Sequence, residues 1–242
     1  MQRLRQCALV GIGIGYFVLI LVNSLACAAE NVLLHEDFQT LERWEPFYFP
    51  KIEEHSTYTI EAPDVLKAES NASASAIKLK ERFNVYEYPH LEWRWKVENV
   101  YAKGDAKKKD GDDYPLRIYI VFKYDPDKAG FGKKLKYKTA KALYGEYPPH
   151  SSLNYIWANK AHPEDILTNT YADEAKMILL QKGTKHVGTW QVERVHILDD
   201  YQKAFDEEPP EIASIVIMSD ADNTKEQATA YIDYIKIFQT SP

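Results

Sequence analysis

The sequence predicts an all-β fold, a jelly roll or β-sandwich with one helical insertion and short helices. Two stretches carry this prediction. In residues 91–97 (LEWRWKV), apolar and charged side chains alternate with a period of two, which is typical of a strand with one buried face. Residues 115–124 (PLRIYIVFKY) repeat the alternation and are expected to lie in the same sheet. Many further short strands separated by turn-forming residues favour a sandwich.

The remaining elements follow from the same patterns, taken in chain order. Strands are predicted at residues 31–38, 57–62, 65–70, 74–79, 91–97, 115–124, 152–159, 175–181, 188–198, 212–218 and 230–238. Residues 125–145 break the rhythm, because their apolar side chains have helical spacing and Gly145 is a natural stop. The lysines of this insertion form either a solvated helix face or a surface for an anionic polymer or membrane. Asp199 is predicted to cap a second, short helix that runs through Phe205.

The N-terminal residues have the pattern of a secretory signal peptide. Arg3 and Arg5 precede an uncharged run that ends in small residues, so residues 1–29 are expected to be removed after Ala28 or Ala29. Two alternatives stay open: an uncleaved membrane anchor, or a lipid anchor on Cys27. Residues 30–242 then form a single β-sandwich domain, located in the periplasm or secreted.

Cysteine content and charge limit what the mature domain does. Both cysteines, Cys7 and Cys27, lie in the predicted signal peptide, so the exported domain has no disulfide to stabilise it. Without Arg3 and Arg5, 28 basic residues face 36 acidic ones, and the net charge is −8. An acidic domain is a poor general binder of nucleic acid, and contact with a membrane is expected only through an uncleaved signal or a lipid anchor.

The charged faces of the two alternating strands are the predicted ligand site. If Trp93 and Trp95 are core, the opposite face is rich in Arg and Tyr, which suit sugar hydroxyls or uronate carboxylates. Arg94 and Arg117 are expected on one shared surface, outside the core. Tyr155 and Trp157 either stack on sugar rings or belong to the core. The predicted ligand-binding residues are Arg94, Arg117, Tyr119, Asn154, Asp220, Asp222 and Asn223.

The last three of these residues lie in one loop rich in oxygen atoms. Asp220, Asp222, Asn223 and Thr224 follow an apolar strand. The loop lacks the glycine of an EF-hand, so that class of calcium site is excluded. Two interpretations stay open: ordinary turn chemistry, in which Asp and Asn bond their own backbone, and a loop that binds a ligand or metal.

The first and last strands suggest a structural calcium ion. His35-Glu36-Asp37-Phe38 opens the domain and residues 231–237 (YIDYIKI) close it. This pairing resembles jelly-roll carbohydrate-binding modules, in which these strands lie side by side and their acids often hold calcium. The resemblance implies Glu36, Asp37 and Asp233 as the metal ligands, since calcium takes oxygen donors. Paired acids without any metal are the alternative.

Four further motifs point to a family. Trp-Arg-Trp-Lys-Val (93–97), Gly-Asp-Asp-Tyr-Pro-Leu-Arg-Ile-Tyr (111–119), Leu-Asn-Tyr-Ile-Trp-Ala-Asn (153–159) and Ser-Asp-Ala-Asp-Asn-Thr (219–224) occur in this order. Together they resemble an exported bacterial family catalogued as a domain of unknown function (number three thousand and forty-seven). The resemblance implies a bacterial, exported, single-domain β-protein, and it brings no catalytic residue.

The function that these observations favour is binding of a glycan, with a polysaccharide as the expected partner. Recognised enzyme signatures are absent from the sequence: there is no Gly-x-Ser-x-Gly, no His-Glu-x-x-His and no glycine-rich phosphate loop. Two alternatives stay open on the same fold. One is a polysaccharide-active enzyme, a lyase or glycosidase, and the other is an envelope protein-interaction domain.

Overall fold

The computed structural model describes residues 30–127, 137 and 147–240. The predicted signal peptide, both cysteines and most of the predicted helical insertion lie outside the described residues. Within them, the first seven strands are β1 (Glu30–Glu36), β2 (Trp44–Phe47), β3 (Thr57–Glu61), β4 (Val65–Asn71), β5 (Ala74–Leu79), β6 (Phe83–Asn84) and β7 (His90–Val97). The next seven are β8 (Arg117–Phe122), β9 (Ser151–Ala158), β10 (Ile166–Thr168), β11 (Ala175–Lys182), β12 (Gln191–His196), β13 (Ile212–Asp220) and β14 (Gln227–Thr240).

These strands form two sheets that pack as a sandwich. The six-stranded sheet has the order β12-β7-β14-β4-β3, and β1 pairs with the C-terminal half of β14. The eight-stranded sheet has the order β10-β11-β9-β8-β13-β5-β2, and β6 pairs with β13. All pairs are antiparallel except β9 with β11. The predicted jelly-roll β-sandwich is therefore confirmed, as is the pairing of the first strand with the last.

The two strands that carried the fold prediction lie in different sheets. β7 belongs to the six-stranded sheet and β8 to the eight-stranded sheet. The expectation of one shared sheet was wrong, because a period of two identifies the buried face of a strand but not the sheet to which it belongs. Since both buried faces point into the sandwich, the charged faces point away from each other.

The core is centred on four aromatic side chains contributed by both sheets. Trp93 and Trp95 of β7 pack against Tyr155 and Trp157 of β9, with ring centroids 5.4 Å and 5.6 Å apart across the sandwich. All four side chains are fully buried. The core position predicted for Trp93 and Trp95 is confirmed, and of the two interpretations of Tyr155 and Trp157, the core is the one observed.

One short α-helix lies entirely within the described residues. α1 (Ile197–Phe205) follows β12 directly. Its N-cap is His196, whose Nδ1 accepts a hydrogen bond from the Asp199 amide, so the cap lies three residues before the predicted one. It ends at Asp206, which has a left-handed backbone with φ of 58°. No helix within residues 30–127 and 147–240 is long and apolar enough to span a membrane.

Replacing a core residue should test the packing. Ile120 of β8 is completely buried in the main core cluster, so Ile120→Ala should lower the free energy of unfolding by about 2–5 kcal/mol. Val192 on β12 is 56% exposed, and Val192→Ala should cost less than about 1 kcal/mol. Urea unfolding followed by tryptophan fluorescence measures both. Equal losses in the two variants would contradict this arrangement of the core.

Candidate functional site

The candidate site lies on the outer face of the eight-stranded sheet, where β8, β9 and β13 run side by side. Ile118 and Ile120 point into the core, so Arg117 and Tyr119 point outward. Tyr119 is opposite Asn154 of β9 on one side and Val216 of β13 on the other. The half-buried side chains of this central region form what we call the outer strip: Tyr119, Val121, Ser152 and Val216.

Two loops cover the sheet on either side of the outer strip. The segment between β7 and β8 places Ala106 and Tyr114 on outward side chains of β9 and β11. The segment between β2 and β3 places Phe49 and Ile52 against the buried cluster that contains Met218, and Tyr119 packs against the same cluster. The outer strip is thus bordered by the β7–β8 loop on one side and by an aromatic loop on the other.

A buried ion pair closes one end of the outer strip. The Nη2 atom of Arg117 donates to Oδ2 of Asp220, the last residue of β13, and Nη1 lies 3.7 Å from Oδ1 of Asp112. The guanidinium also lies 4.9 Å from the ring centroid of Tyr114 and 5.4 Å from that of Tyr119. Only 4% of Arg117 is exposed. Its expected position outside the packed interior was wrong, because the flanking loops bury this side of the sheet.

Asp113 connects the β7–β8 loop to the segment between β13 and β14 at this end. Its Oδ1 accepts hydrogen bonds from the backbone and side-chain nitrogens of Asn223, and its Oδ2 accepts one from the Thr224 amide at 2.5 Å. The Asn159 side chain fixes the β7–β8 loop from below, because it donates to the Asp113 carbonyl and accepts from the Tyr101 amide. The Asp220–Thr224 segment is therefore a positioned loop, held by a carboxylate with three donors.

Three carboxylates converge here. One oxygen from each of Asp113, Asp220 and Asp222 lies within 4.8 Å of the others. Burial raises the pKa of Asp220 well above the usual carboxyl range; Arg117 opposes this rise, while Asp113 and Asp112 add to it. The pKa of Asp222 is also raised, first by burial and then by Asp113. Oxygen donors at this spacing suit a hard cation such as calcium.

Several buried polar atoms at this site have no hydrogen-bond partner among the described residues. They include both amide atoms of Asn154, which is 1% exposed, the Nε and Nη1 atoms of Arg117, and Oδ1 of Asp112. Asn154 lies diagonally across from Arg117 on the neighbouring strand, so the two side chains are within reach of one ligand. Unpartnered groups of this kind are rare inside proteins and call for a bound partner.

An exposed tyrosine forms the rim above these atoms. The hydroxyl of Tyr171 contacts Oδ1 of Asn223 at 2.9 Å and donates to the Lys109 carbonyl at 2.8 Å. Nearby, the Asn169 side chain donates to Oδ2 of Asp112 at 2.9 Å. The Tyr171 side chain is 59% exposed, so its ring is available at the edge of the site.

Six of the seven predicted ligand residues are brought to this end of the outer face, and one is not. The six are Arg117, Tyr119, Asn154, Asp220, Asp222 and Asn223. Arg94 lies on the outer face of the six-stranded sheet, where it pairs with Asp233 at 2.7 Å and lies over the Trp190 ring. The shared surface expected for Arg94 and Arg117 therefore does not exist, since the sandwich separates them.

The acids predicted to hold calcium are placed differently from the expectation. Glu36 accepts hydrogen bonds from the Phe38 amide and from Nε1 of Trp44, so both of its oxygens are engaged in the fold. Asp37 is exposed and accepts from Gln39, and Asp233 faces Arg94. Among the residues described, the three do not form a converging group. The expected cluster of Glu36, Asp37 and Asp233 is therefore not observed, because each acid is engaged by another residue, and Glu36 by Trp44.

Sequence reasoning did not assign Asp112, Asp113, Asn169 or Tyr171 to the site. Asp112 and Asp113 were visible as adjacent acids directly before the β8 strand, and that position was the available signal. No such signal marked Asn169 and Tyr171. These residues lie between β10 and β11, and the parallel pairing of β9 with β11, which brings this segment to the site, could not be predicted from local sequence.

Removing Arg117 should destabilise the fold, unlike removal of an exposed arginine. Arg117→Met leaves the Asp220 carboxylate buried without its partner, which costs about 3–5 kcal/mol. Arg94→Met breaks a pair whose side chains are 40% and 31% exposed, and should cost at most about 1 kcal/mol. Chemical unfolding of both variants measures the difference. Equal effects would show that the Arg117 pair is not buried in solution.

The cost of Arg117→Met should also depend on pH. Without the guanidinium, the pKa of folded Asp220 rises further above its unfolded value of about 3.9. A carboxyl with a raised folded pKa stabilises the fold below the unfolded pKa, and this contribution is lost as the pH rises toward the folded value. The penalty should therefore be larger at about pH 8 than at about pH 5. A penalty independent of pH would contradict the raised pKa.

Comparison with known folds shows sandwiches of the same general type, at low similarity. The family 11 carbohydrate-binding module of a cellulosomal cellulase of Clostridium thermocellum superposes with a TM-score of 0.43 and 10% identity, covering 88% of this chain and 95% of that one. A lectin from Bauhinia forficata in complex with GalNAc gives 0.44 and 9%, covering 88% and 100%. The xyloglucanase domain of a Sinorhizobium fredii effector in complex with cellobiose gives 0.43 and 8%, covering 82% and 93%.

At these values no residue of the site can be matched to a residue of those proteins. No curated protein matches the sequence. A family described as "Protein of unknown function (DUF3047)" does match, over residues 42–236. This range includes nearly all of both sheets and every residue of the site, and the chain therefore belongs to the DUF3047 family.

Proposed function

We propose that the protein binds a glycan on the outer face of the eight-stranded sheet, with the outer strip as its floor. The observation that carries this proposal is the set of buried, unpartnered polar atoms of Arg117, Asn154 and Asp112. The set contains both donors and acceptors, and a sugar hydroxyl offers both to its neighbours. A ligand rich in hydroxyl groups satisfies them together.

The surroundings of these atoms support the same ligand class. Ring faces suit the C–H surfaces of a sugar, and Tyr119 in the outer strip and Tyr171 at the rim supply such faces. Ligand sites combine apolar walls with a few polar groups that fix orientation. Here Val121 and Val216 provide apolar floor, and Asn154 with Arg117 provides the polar groups.

The outer face of the six-stranded sheet supports this function less well. Its charged side chains are engaged with one another: Arg94 with Asp233, Lys67 with Glu61 and Glu69, and Lys236 with Glu30. The aromatic rings Trp190 and Tyr231 are in contact with Lys96. A ligand on this face would have to compete with existing pairs.

Replacement of Asn154 should separate binding from stability. Asn154→Leu keeps the size of the side chain and removes the unpartnered amide, so the melting temperature should not fall. Affinity for a glycan identified on a polysaccharide array should fall by about 1–3 kcal/mol, the scale of lost hydrogen bonds to buried groups. Calorimetric titration measures the affinity, and scanning calorimetry measures the melting temperature.

Trp190→Ala, on the outer face of the other sheet, is the matched control and should leave affinity unchanged. Loss of binding in Trp190→Ala but not in Asn154→Leu would move the site to the six-stranded sheet and refute the proposal. Incubation of the bound polymer with the protein, followed by analysis of reducing ends, distinguishes binding from cleavage. Released products would favour the alternative of a polysaccharide-active enzyme.

The place of action is proposed to be outside the cytoplasm. The support is the sequence pattern of residues 1–29, which precedes the first strand of the sandwich. Protein recovered from the cell envelope should have the intact mass of a chain that begins at Ala29 or Glu30. Thiol titration of this protein should detect no free thiol. A lipid-modified Cys27, or retention of the apolar segment, would contradict cleavage at this position.

A further inference from the structure

Negative charge dominates the closed end of the outer strip. Asp112, Asp113 and Asp220 are buried, with exposed fractions of 4%, 0% and 1%, and Asp222 is half-buried beside them. One buried cation, Arg117, faces these four acids. The neighbouring lysines Lys103, Lys109 and Lys225 are exposed, so water screens them. The site therefore holds more buried carboxyl groups than buried cations.

The four acids differ in how many hydrogen bonds their carboxylate oxygens already accept from the protein. Asp113 accepts three N–H donors, and Asp220 accepts from Arg117 and from the Tyr114 amide. Asp112 has one oxygen bonded to Asn169, while its Oδ1 lies 3.7 Å from Arg117 and has no hydrogen-bond partner among the described residues. An oxygen of Asp222 approaches those of Asp113 and Asp220 within 4.8 Å. Asp112 and Asp222 are thus the acids available to a ligand.

The electric field of this group extends to the rim. The pKa of Tyr171 is raised by partial burial and then by Asp112, Asp222 and Asp113. Geometry agrees with this, because the Tyr171 hydroxyl contacts Asn223, which in turn donates to Asp113, so a ligand bound beside Tyr171 lies close to the acids. Ionised acids repel anionic sugars and attract cationic ones.

We propose that the glycan bound here carries free amino groups, as polymers of glucosamine do, and that an ammonium group lies at Asp112 and Asp222. This inference rests on the proposed glycan site and adds the chemical class of the ligand. An ammonium group has three donors, and the acceptors at this end of the outer strip include Oδ1 of Asp112 and Oδ1 of Asn154, which have no hydrogen-bond partner among the described residues, and the Asp222 carboxylate of the converging group. A neighbouring sugar oxygen accepts from Nε and Nη1 of Arg117. Uronate polymers are disfavoured, because their carboxylates meet the same acids.

The test compares three oligosaccharides of equal length: a glucosamine oligomer, its N-acetylated counterpart and an oligogalacturonate. Titrations are done at about pH 6, below the ordinary pKa of an amine, with EDTA present to remove divalent ions that compete for the carboxylates. The glucosamine oligomer should bind about tenfold more tightly than the N-acetylated one, the scale of a charge-assisted hydrogen bond. Its advantage should shrink as salt is added.

Asp222→Asn tests the role of the acids while keeping the shape of the side chain. This variant should lose most of the preference for the free amine while its affinity for the N-acetylated oligomer changes little. Asp64→Asn, the same change at an exposed turn between β3 and β4, should retain the full preference. Asp112→Asn provides a second variant with the same expected loss, should Asp222→Asn fold poorly.

The outcomes separate this inference from the proposed function. Equal binding of the glucosamine and N-acetylated oligomers, or tightest binding of the oligogalacturonate, overturns the amino-glycan assignment and leaves glycan binding in place. An unchanged preference in both Asp222→Asn and Asp112→Asn also overturns it. Failure of every glycan on the array to bind removes the proposed function and this inference together.

Discussion

The contact of Trp93 and Trp95 with Tyr155 and Trp157 is the constraint on which the rest of the structure depends. These rings meet across the sandwich and bring β7 of one sheet against β9 of the other. Since neighbouring residues of a strand point to opposite faces, the burial of Tyr155 forces Asn154 outward. The same logic applies to β8, where burial of Ile118 and Ile120 directs Arg117 and Tyr119 outward. Aromatic packing in the core thus determines which polar groups reach the candidate site.

The candidate site departs from the ordinary pattern of a solvated outer face. Loops cover the end of the sheet and bury a charged pair, Arg117 and Asp220, together with two further acids. A buried ion pair often contributes little stability compared with apolar residues of equal size, because both charges lose their hydration. The pair therefore has a poor explanation as a stabilising device. Its position beside unpartnered groups of Asn154 and Asp112 is better explained by recognition of a polar ligand.

Local patterns predicted eleven of the fourteen described strands, but not β2, β6 and β10, and not the partners of each strand. Alternation placed Trp93 and Trp95 in the core, and both are fully buried. It did not reveal that β7 and β8 lie in different sheets, because strand order depends on contacts between residues distant in the chain. Arg94 was wrongly placed on the same surface as Arg117 because the sheet of each strand was not known. The calcium prediction failed to anticipate Trp44, whose indole nitrogen donates to Glu36. Proximity of Asp113 to Asn223, which are 110 residues apart, was likewise invisible to local patterns.

The side chains that stabilise the fold differ from those of the candidate site, because the site's polar atoms without hydrogen-bond partners lie outside the core. In this molecule the strands satisfy their backbone through two sheets, and the core needs no contribution from Asn154. A buried amide without a partner weakens a fold, so the presence of Asn154 supports the proposed binding role. Asn154 could have been an apolar residue like its outward-facing neighbours Ile156 and Met177. That a hydrogen-bonding side chain stands there, facing an arginine and surplus carboxylates, is the strongest structural reason to regard this end of the sheet as a binding surface.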